Sequence, residues 1–147
     1  MNYKIKEVEG FTVIGKKFFV PHSNNSIITS FWREIMENGD FIELDKINNG
    51  KIKGPMGLCI NVNEKGFDYI IGVDSRETNP KYATYKIEND QYAVLTCPMQ
   101  DIARLWEKIE LEWGKDGKYT YNKGVAFELY PDKNTAEIYI SAKKIIE

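Results

Sequence analysis

The sequence is short of what metal, nucleophilic and nucleic-acid chemistry usually draw on. A single histidine, His22, stands among 147 residues, in the polar stretch Pro21-His22-Ser23-Asn24-Asn25-Ser26. A zinc site or a Ser-His-Asp triad would have to be built around that loop residue, so neither is expected. The two cysteines, Cys59 and Cys97, lie alone in apolar stretches with no Cys-x-x-Cys spacing and no neighbouring histidine. They read as small core thiols rather than metal ligands. No cofactor or metal is called for. Charge of one sign is also lacking: 20 Lys+Arg against 22 Asp+Glu give a formal net charge of −2, and no basic run is dense enough to follow a phosphate backbone. Direct nucleic-acid binding is therefore not expected. No apolar run approaches the roughly 18 residues that span a bilayer, and Met1-Asn2-Tyr3-Lys4-Ile5-Lys6 carries no cleavable apolar segment. A cytoplasmic chain without a membrane partner is the expectation.

Aromatic rings, by contrast, are plentiful. Seven Phe, nine Tyr and three Trp make 13% of the chain, more than a core of this size needs, so some rings should line something other than the core. Residues 3–20 are β-favouring and read as a strand bent near Gly15. A helix should follow, with Ile27, Ile28, Phe31, Trp32, Ile35 and Met36 on its apolar face and Asn38-Gly39 closing it. Residues 40–54 read as an irregular connection with at most a short helical turn. A hairpin should then run Met56–Val62 and Phe67–Asp74 around Asn63-Glu64-Lys65-Gly66. Tyr82–Cys97 reads as strand interrupted near residues 88–90. Ile102, Leu105, Trp106, Ile109 and Trp113 mark one face of a second helix stopped by Gly114. Val125–Tyr130 and Ala136–Ala142 close the chain as a second hairpin around Pro131-Asp132-Lys133-Asn134.

The order is strand, helix, strand, strand, twice. Tyr3-Lys4-Ile5 matches Tyr85-Lys86-Ile87, Val13 matches Val94, Trp32 and Ile35 match Trp106 and Ile109, and Gly57 matches Gly124. The expected fold is α+β: a duplicated β-α-β-β unit with pseudo-twofold symmetry, in which an antiparallel sheet carries both helices on one face with a groove between them. It forms one domain over residues 1–147, with pseudo-repeats at about 1–75 and 82–147.

The repeat breaks at a charge. Aligning the hairpins through Gly57 and Gly124 sets Ile60 against Phe127, Asn61 against Glu128 and Val62 against Leu129, so the partner of Glu128 is neutral. The period of two leaves Ala126, Glu128 and Tyr130 on one strand face. Facing solvent, Glu128 is ordinary; facing the helices, it is a carboxylate among rings that seeks a cation or a donor. Trp32 and Trp106 occupy equivalent helix positions. Each either packs the core or flanks the groove, where rings around a carboxylate suit a lipophilic cation. Trp113, at a helix end, reads as a packing residue.

These features resemble the GyrI-like, or AraC-type, effector-binding domain family. The resemblance rests on the duplicated order, on Leu105-Trp106-Glu107-Lys108-Ile109 leading through Trp113 to a Tyr-containing loop, on Gly124-Val125-Ala126-Phe127-Glu128-Leu129-Tyr130, and on Ala136-Glu137-Ile138-Tyr139-Ile140-Ser141. It covers essentially the whole chain. It implies a drug- or metabolite-binding domain of the kind fused to helix-turn-helix segments in multidrug-responsive transcription regulators, with an acidic residue at the pocket floor. Glu128 matches that position. The chain departs from the regulators in opening directly on a strand without a DNA-reading segment, which implies a stand-alone form, and Ser141 replaces a frequent proline of the last strand.

Three functions follow as expectations. The first is binding without chemistry, a sensor or sequestering role for lipophilic cationic small molecules, with Glu128, Trp32, Trp106, Tyr130, Tyr139 and Asn61 as ligand-binding residues. The second is hydrolysis of strained electrophilic compounds with Glu128 as general base; lacking an identifiable oxyanion site, such an enzyme would not act on ordinary esters or amides. The third is a gyrase-inhibitor-like interaction module whose surface strands or loops meet a protein partner.

Overall fold

The structure, a computed structural model, describes residues 1–146. The strands are β1 (Lys4–Val8), β2 (Phe11–Pro21), β3 (Met56–Ile60), β4 (Gly66–Asp74), β5 (Ala83–Ile87), β6 (Asp90–Pro98), β7 (Tyr119–Tyr121), β8 (Phe127–Leu129) and β9 (Thr135–Lys144). The helices are α1 (Ile27–Glu37), α2 (Asp40–Lys46) and α3 (Ile102–Glu112). All pairings are antiparallel, in the order β1-β6-β9-β8-β3-β4-β2-β5, with β7 also on β9.

The sheet joins two similar halves at β3 and β8, where Leu58 pairs with Phe127. Each half places a long strand, a helix and a hairpin in the same order, and the duplicated α+β fold is the one observed. The leading strands are exchanged: β1 pairs with β6 of the second half, and β5 pairs with β2 of the first. Residues 3–20 are accordingly two strands rather than one bent at Gly15. The break falls at Glu9-Gly10, while Gly15 sits inside β2, where a Cβ would meet the Ile71 carbonyl oxygen at 2.1 Å.

Both long helices lie on one sheet face. α1 packs Ile27, Ile28, Phe31, Trp32 and the buried Ile35 against Val20, Tyr69 and Ile71. α3 packs Ile102, Leu105, Trp106 and the buried Ile109 against Leu95, Ile138 and Ile140. Burying one such aliphatic side chain contributes about 1.5–3 kcal/mol, which is why amphipathic spacing alone located both helices. Gly114, with φ 87°, ends the turn after α3.

The other sheet face carries its own core of Val13, Met56, Leu58, Ile70, Tyr92, Phe127 and Tyr139. A sheet apolar on both faces curls to cover the face without helices, and the result is a half-barrel.

The connection after α1 is more ordered than expected. Gly39, at φ 90°, turns the chain directly into α2, whose Leu44 is buried with Ile14, Val73 and Tyr82. Three apolar residues in seven, Phe41, Ile42 and Leu44, span too short a segment for a helical period to be read from the sequence.

The hairpin registers also revise the internal alignment. Pro21 pairs with Gly66 and Pro98 with Thr135, each just before a 3-10 turn that leads into a helix. Three residues further along the return strands, Tyr69 pairs with Cys59 and Ile138 with Glu128. Cys59, not Asn61, therefore occupies the place of Glu128. Tyr3 and Tyr85 are not equivalent either: Tyr3 packs on the helix side with Trp113, whereas Tyr85 packs on the opposite side. Their shared tripeptide is a coincidence one residue out of face.

Candidate functional site

Gly57, Cys59, Ala126 and Glu128 form the floor of the groove between α1 and α3, since the period of two sends Leu58 and Phe127 into the opposite core. Glu128 is half-buried and turned toward the helices. Its carboxylate is held by three neutral donors. Trp106 Nε1 donates to Oε2 at 2.8 Å, Tyr69 Oη donates to Oε1 at 2.7 Å, and Tyr130 Oη donates to the same oxygen at 3.3 Å. Trp32 Nε1 donates in turn to Tyr69 Oη at 3.0 Å. The two tryptophans at matching helix positions thus both serve one carboxylate, one directly and one through a tyrosine.

That relay depends on a missing side chain. A Cβ at Gly57 would stand 1.9 Å from Tyr69 Oη and 2.8 Å from Glu128 Oε1. The fully buried Tyr69 crosses the strand above Gly57 to reach the acid. Burial raises the Tyr69 hydroxyl well above its ordinary value, and the charge of Glu128 adds to this, so Tyr69 stays a donor. Tyr130 is shifted upward for the same two reasons in the same order.

None of the ion pairs among the described residues involves Glu128; they join Lys16 and Lys81 to Asp40, Lys81 to Glu43, and Lys51 to Glu9. A carboxylate solvated by neutral donors and lacking a cation keeps its charge available to a ligand.

Beside it opens a cavity of about 1090 Å³ between α1, α2, the start of α3 and the β8–β9 turn. Trp32, Met36, Phe41, Met99, Ile102 and Tyr130 give it an apolar wall, with Asp45, Lys53, Asp132 and Lys133 around them. Glu128 and Trp106 are not on its lining; Tyr130 is.

Two of the expected site residues lie elsewhere. Tyr139 is buried in the opposite core, stacked on Phe127 with ring centroids 4.4 Å apart, because its neighbour Ile138 is the one that faces the groove. Asn61 is exposed beyond β3 at φ 53° and donates from Nδ2 to Asp68 Oδ2 at 2.9 Å. Its predicted pairing with Glu128 fails because the hairpin register is offset by two residues.

Neither cysteine is a core thiol: Cys97 is partly exposed, and Cys59 is exposed to the groove. Surrounding protein, and then the charge of Glu128, push the Cys59 thiol up to about 12, which leaves it protonated. Trp113 packs on Tyr3 and Tyr121 as a packing residue would, although its buried Nε1 finds no acceptor.

Nothing in the sequence signals the roles of Tyr69 and Gly57 or of Phe41 and Met99 as cavity wall. Tyr69 and Gly57 carry no local signal, because their roles exist only through the β3–β4 register.

A curled antiparallel half-barrel carrying helices on one face is the architecture of the class of GyrI-like effector-binding domains. Residues 4–141 match the model of the integron-associated effector binding proteins, and the chain belongs to that family. Among solved structures, SAV2435 bound to tetraphenylphosphonium is similar with a TM-score of 0.86 at 23% identity, over 97% of this chain and 94% of that one. An integron cassette protein from the mobile metagenome of Vibrio cholerae gives 0.64 at 21% identity, over 96% and 95%. EcmrR, solved in a complex with DNA, gives 0.67 at 17% identity over 98% of this chain and 58% of that one. No curated protein is similar enough to this chain to count as a match. Among the described residues no helix is long and apolar enough to cross a membrane.

Proposed function

We propose that this chain binds lipophilic cationic small molecules, with the apolar body of the ligand in the cavity and its charge directed at Glu128, in a sensing or sequestering role without turnover. The observation that carries this reading is a groove carboxylate held by three neutral donors and no cation, next to an apolar cavity of about 1090 Å³. The size suits a drug-sized ligand. Trp32, Trp106 and Tyr130 offer ring faces and edges around the charge, the arrangement that attracts a desolvated cation. That SAV2435 was solved with tetraphenylphosphonium supports the same ligand class.

Ions of matched shape and opposite charge test the reading directly. Tetraphenylphosphonium is expected to bind at micromolar level, about −8 kcal/mol, and tetraphenylborate far more weakly, measured by tryptophan quenching. Glu128→Gln preserves volume and deletes the charge. Cation affinity should fall by roughly 1–2 kcal/mol, while folding stability in denaturant changes little, because the relief of a partly buried charge is offset by the donor, Trp106 or Tyr69, that the amide NH2 leaves without an acceptor. Equal affinity for the two ions, or an unchanged cation affinity in Glu128→Gln, would sink the proposal.

A further inference from the structure

We infer that Tyr130 is the partition between the cavity and the carboxylate, and that its hydroxyl competes with a cationic ligand for Glu128 Oε1. The inference rests on the cation-binding reading above and says how such a site selects for charge. Among the described residues Tyr130 alone both lines the cavity and donates to Glu128. A ligand body that fills the cavity therefore meets the Tyr130 ring before its charge meets the acid.

The three donors differ in how freely they can leave. Tyr69 is fully buried, crosses over Gly57 and is tied a second time to Trp32. Trp106 is held in the α3 core with Leu95 and Ile138. Tyr130 makes the longest of the three bonds, 3.3 Å against 2.7 and 2.8 Å, and its ring is half-buried beside open space.

Its main chain, in contrast, is pinned. The Tyr130 N–H donates to the Pro55 carbonyl at 3.0 Å, and Gly54, at φ 116°, lets that connection approach so closely that a Cβ would stand 2.5 Å from the Tyr130 carbonyl oxygen. Opening the partition is therefore a side-chain rotation over a fixed backbone. The hydroxyl is a neutral donor, so a cation that replaces it exchanges one hydrogen bond for a charge contact. A neutral ligand gains nothing at Glu128 by the same displacement and stays in the cavity. Selection for charge then comes partly from a competitor that only a cation can displace with profit.

Tyr130→Phe keeps the ring and removes the competitor. Tetraphenylphosphonium should bind about threefold to tenfold tighter than to the wild type, the factor expected for removing one ordinary hydrogen bond that opposes binding. Triphenylphosphine oxide, a neutral aryl ligand, should be unaffected. Tyr130→Met, which keeps bulk without a hydroxyl, should raise the cation-to-neutral affinity ratio in the same direction, and it serves where Tyr130→Phe fails to fold. A cation affinity that is unchanged or weaker in these variants would overturn the inference, the weaker outcome making the hydroxyl a ligand contact. If the wild type shows no cation preference that Glu128→Gln removes, the reading beneath it and the inference fall together. If that preference is present but indifferent to Tyr130, the inference alone falls.

Discussion

Glu128 differs from the lysine-paired carboxylates of this chain in what surrounds it. Asp40, Glu43 and Glu9 each meet a lysine, so their charges are already answered. Glu128 meets only phenol and indole groups, which orient the carboxylate and leave its charge uncompensated. The geometry of that group hangs on Gly57. Gly57→Ala would drive a methyl into the Tyr69 ring and hydroxyl, and because Tyr69 is fully buried it has no free direction in which to retreat. A loss of about 1–3 kcal/mol of stability is expected from overpacking of this kind, with cation affinity falling in parallel; a denaturant melt paired with a tetraphenylphosphonium titration checks both. Tyr69→Phe removes the hydroxyl without the overpacking. It keeps the packing, strands the Trp32 indole N–H without its acceptor, and should cost about 1–3 kcal/mol for that orphaned donor.

At the scale of elements, the two long helices stand over the sheet as their apolar spacing requires, whereas α2 is held by polar contacts as well as packing. Asp40, at its first residue, is buried and takes Lys16 Nζ at 3.3 Å and the Tyr82 hydroxyl at 3.1 Å. Burial works against its charge, but hydrogen bonds from Asn38, Lys16 and Tyr82 outweigh that and hold the carboxyl below its ordinary value of 3.8. A carboxyl lowered on folding stabilises the folded state above its unfolded value and ceases to do so as pH falls through the folded one. The anchor of α2 should therefore be intact at neutral pH and weaken below 3.8. Protection of the α2 amides relative to their intrinsic exchange rate should fall in that acid window, and Asp40→Asn should abolish that step. The substitution should lower neutral-pH stability by about 1 kcal/mol, a modest figure because Lys16 and Lys81 stay solvated. The Tyr130 cavity borders this helix through Phe41 and Asp45, so loosening α2 should also weaken ligand binding at low pH.

For the molecule as a whole, the exchanged strands β1 and β5 bind each half to the other. β1 completes the edge beside β6, and β5 completes the edge beside β2. Val8 and Ile87 add both strands to the one core on the face without helices. One cooperative unfolding transition is expected, with tryptophan emission and far-ultraviolet circular dichroism coincident. Deleting residues 1–8 should lower the midpoint for the second half's α3 and the first half's α1 together. Two separated transitions would mean that the halves are independent units.

Much of this architecture is legible in the order of the residues. Ile27, Phe31, Trp32 and Ile35, and again Ile102, Trp106 and Ile109, announce helices with one apolar face, because periodicity and burial are two views of the same free energy. Pro21 and Pro98, Asn38-Gly39 and Gly114 mark where the chain must stop or turn, since those limits are local and steric. Glu128 is legible as a break in a repeat, and the alternation of strand side chains placed Ala126, Glu128 and Tyr130 together. Register is not legible in this way. Whether Asn61 or Cys59 stands in the place of Glu128, and whether Tyr139 or Ile138 faces the groove, turns on a shift of one or two residues between strands, and such a shift moves a side chain along the floor or to the other face without altering any local pattern. The passage of Tyr69 over Gly57, the exchange of β1 and β5, and the position of Tyr130 between cavity and acid are of the same kind. Each is a contact between segments far apart in the chain, and it takes form only when the packed sheet brings them to a common place.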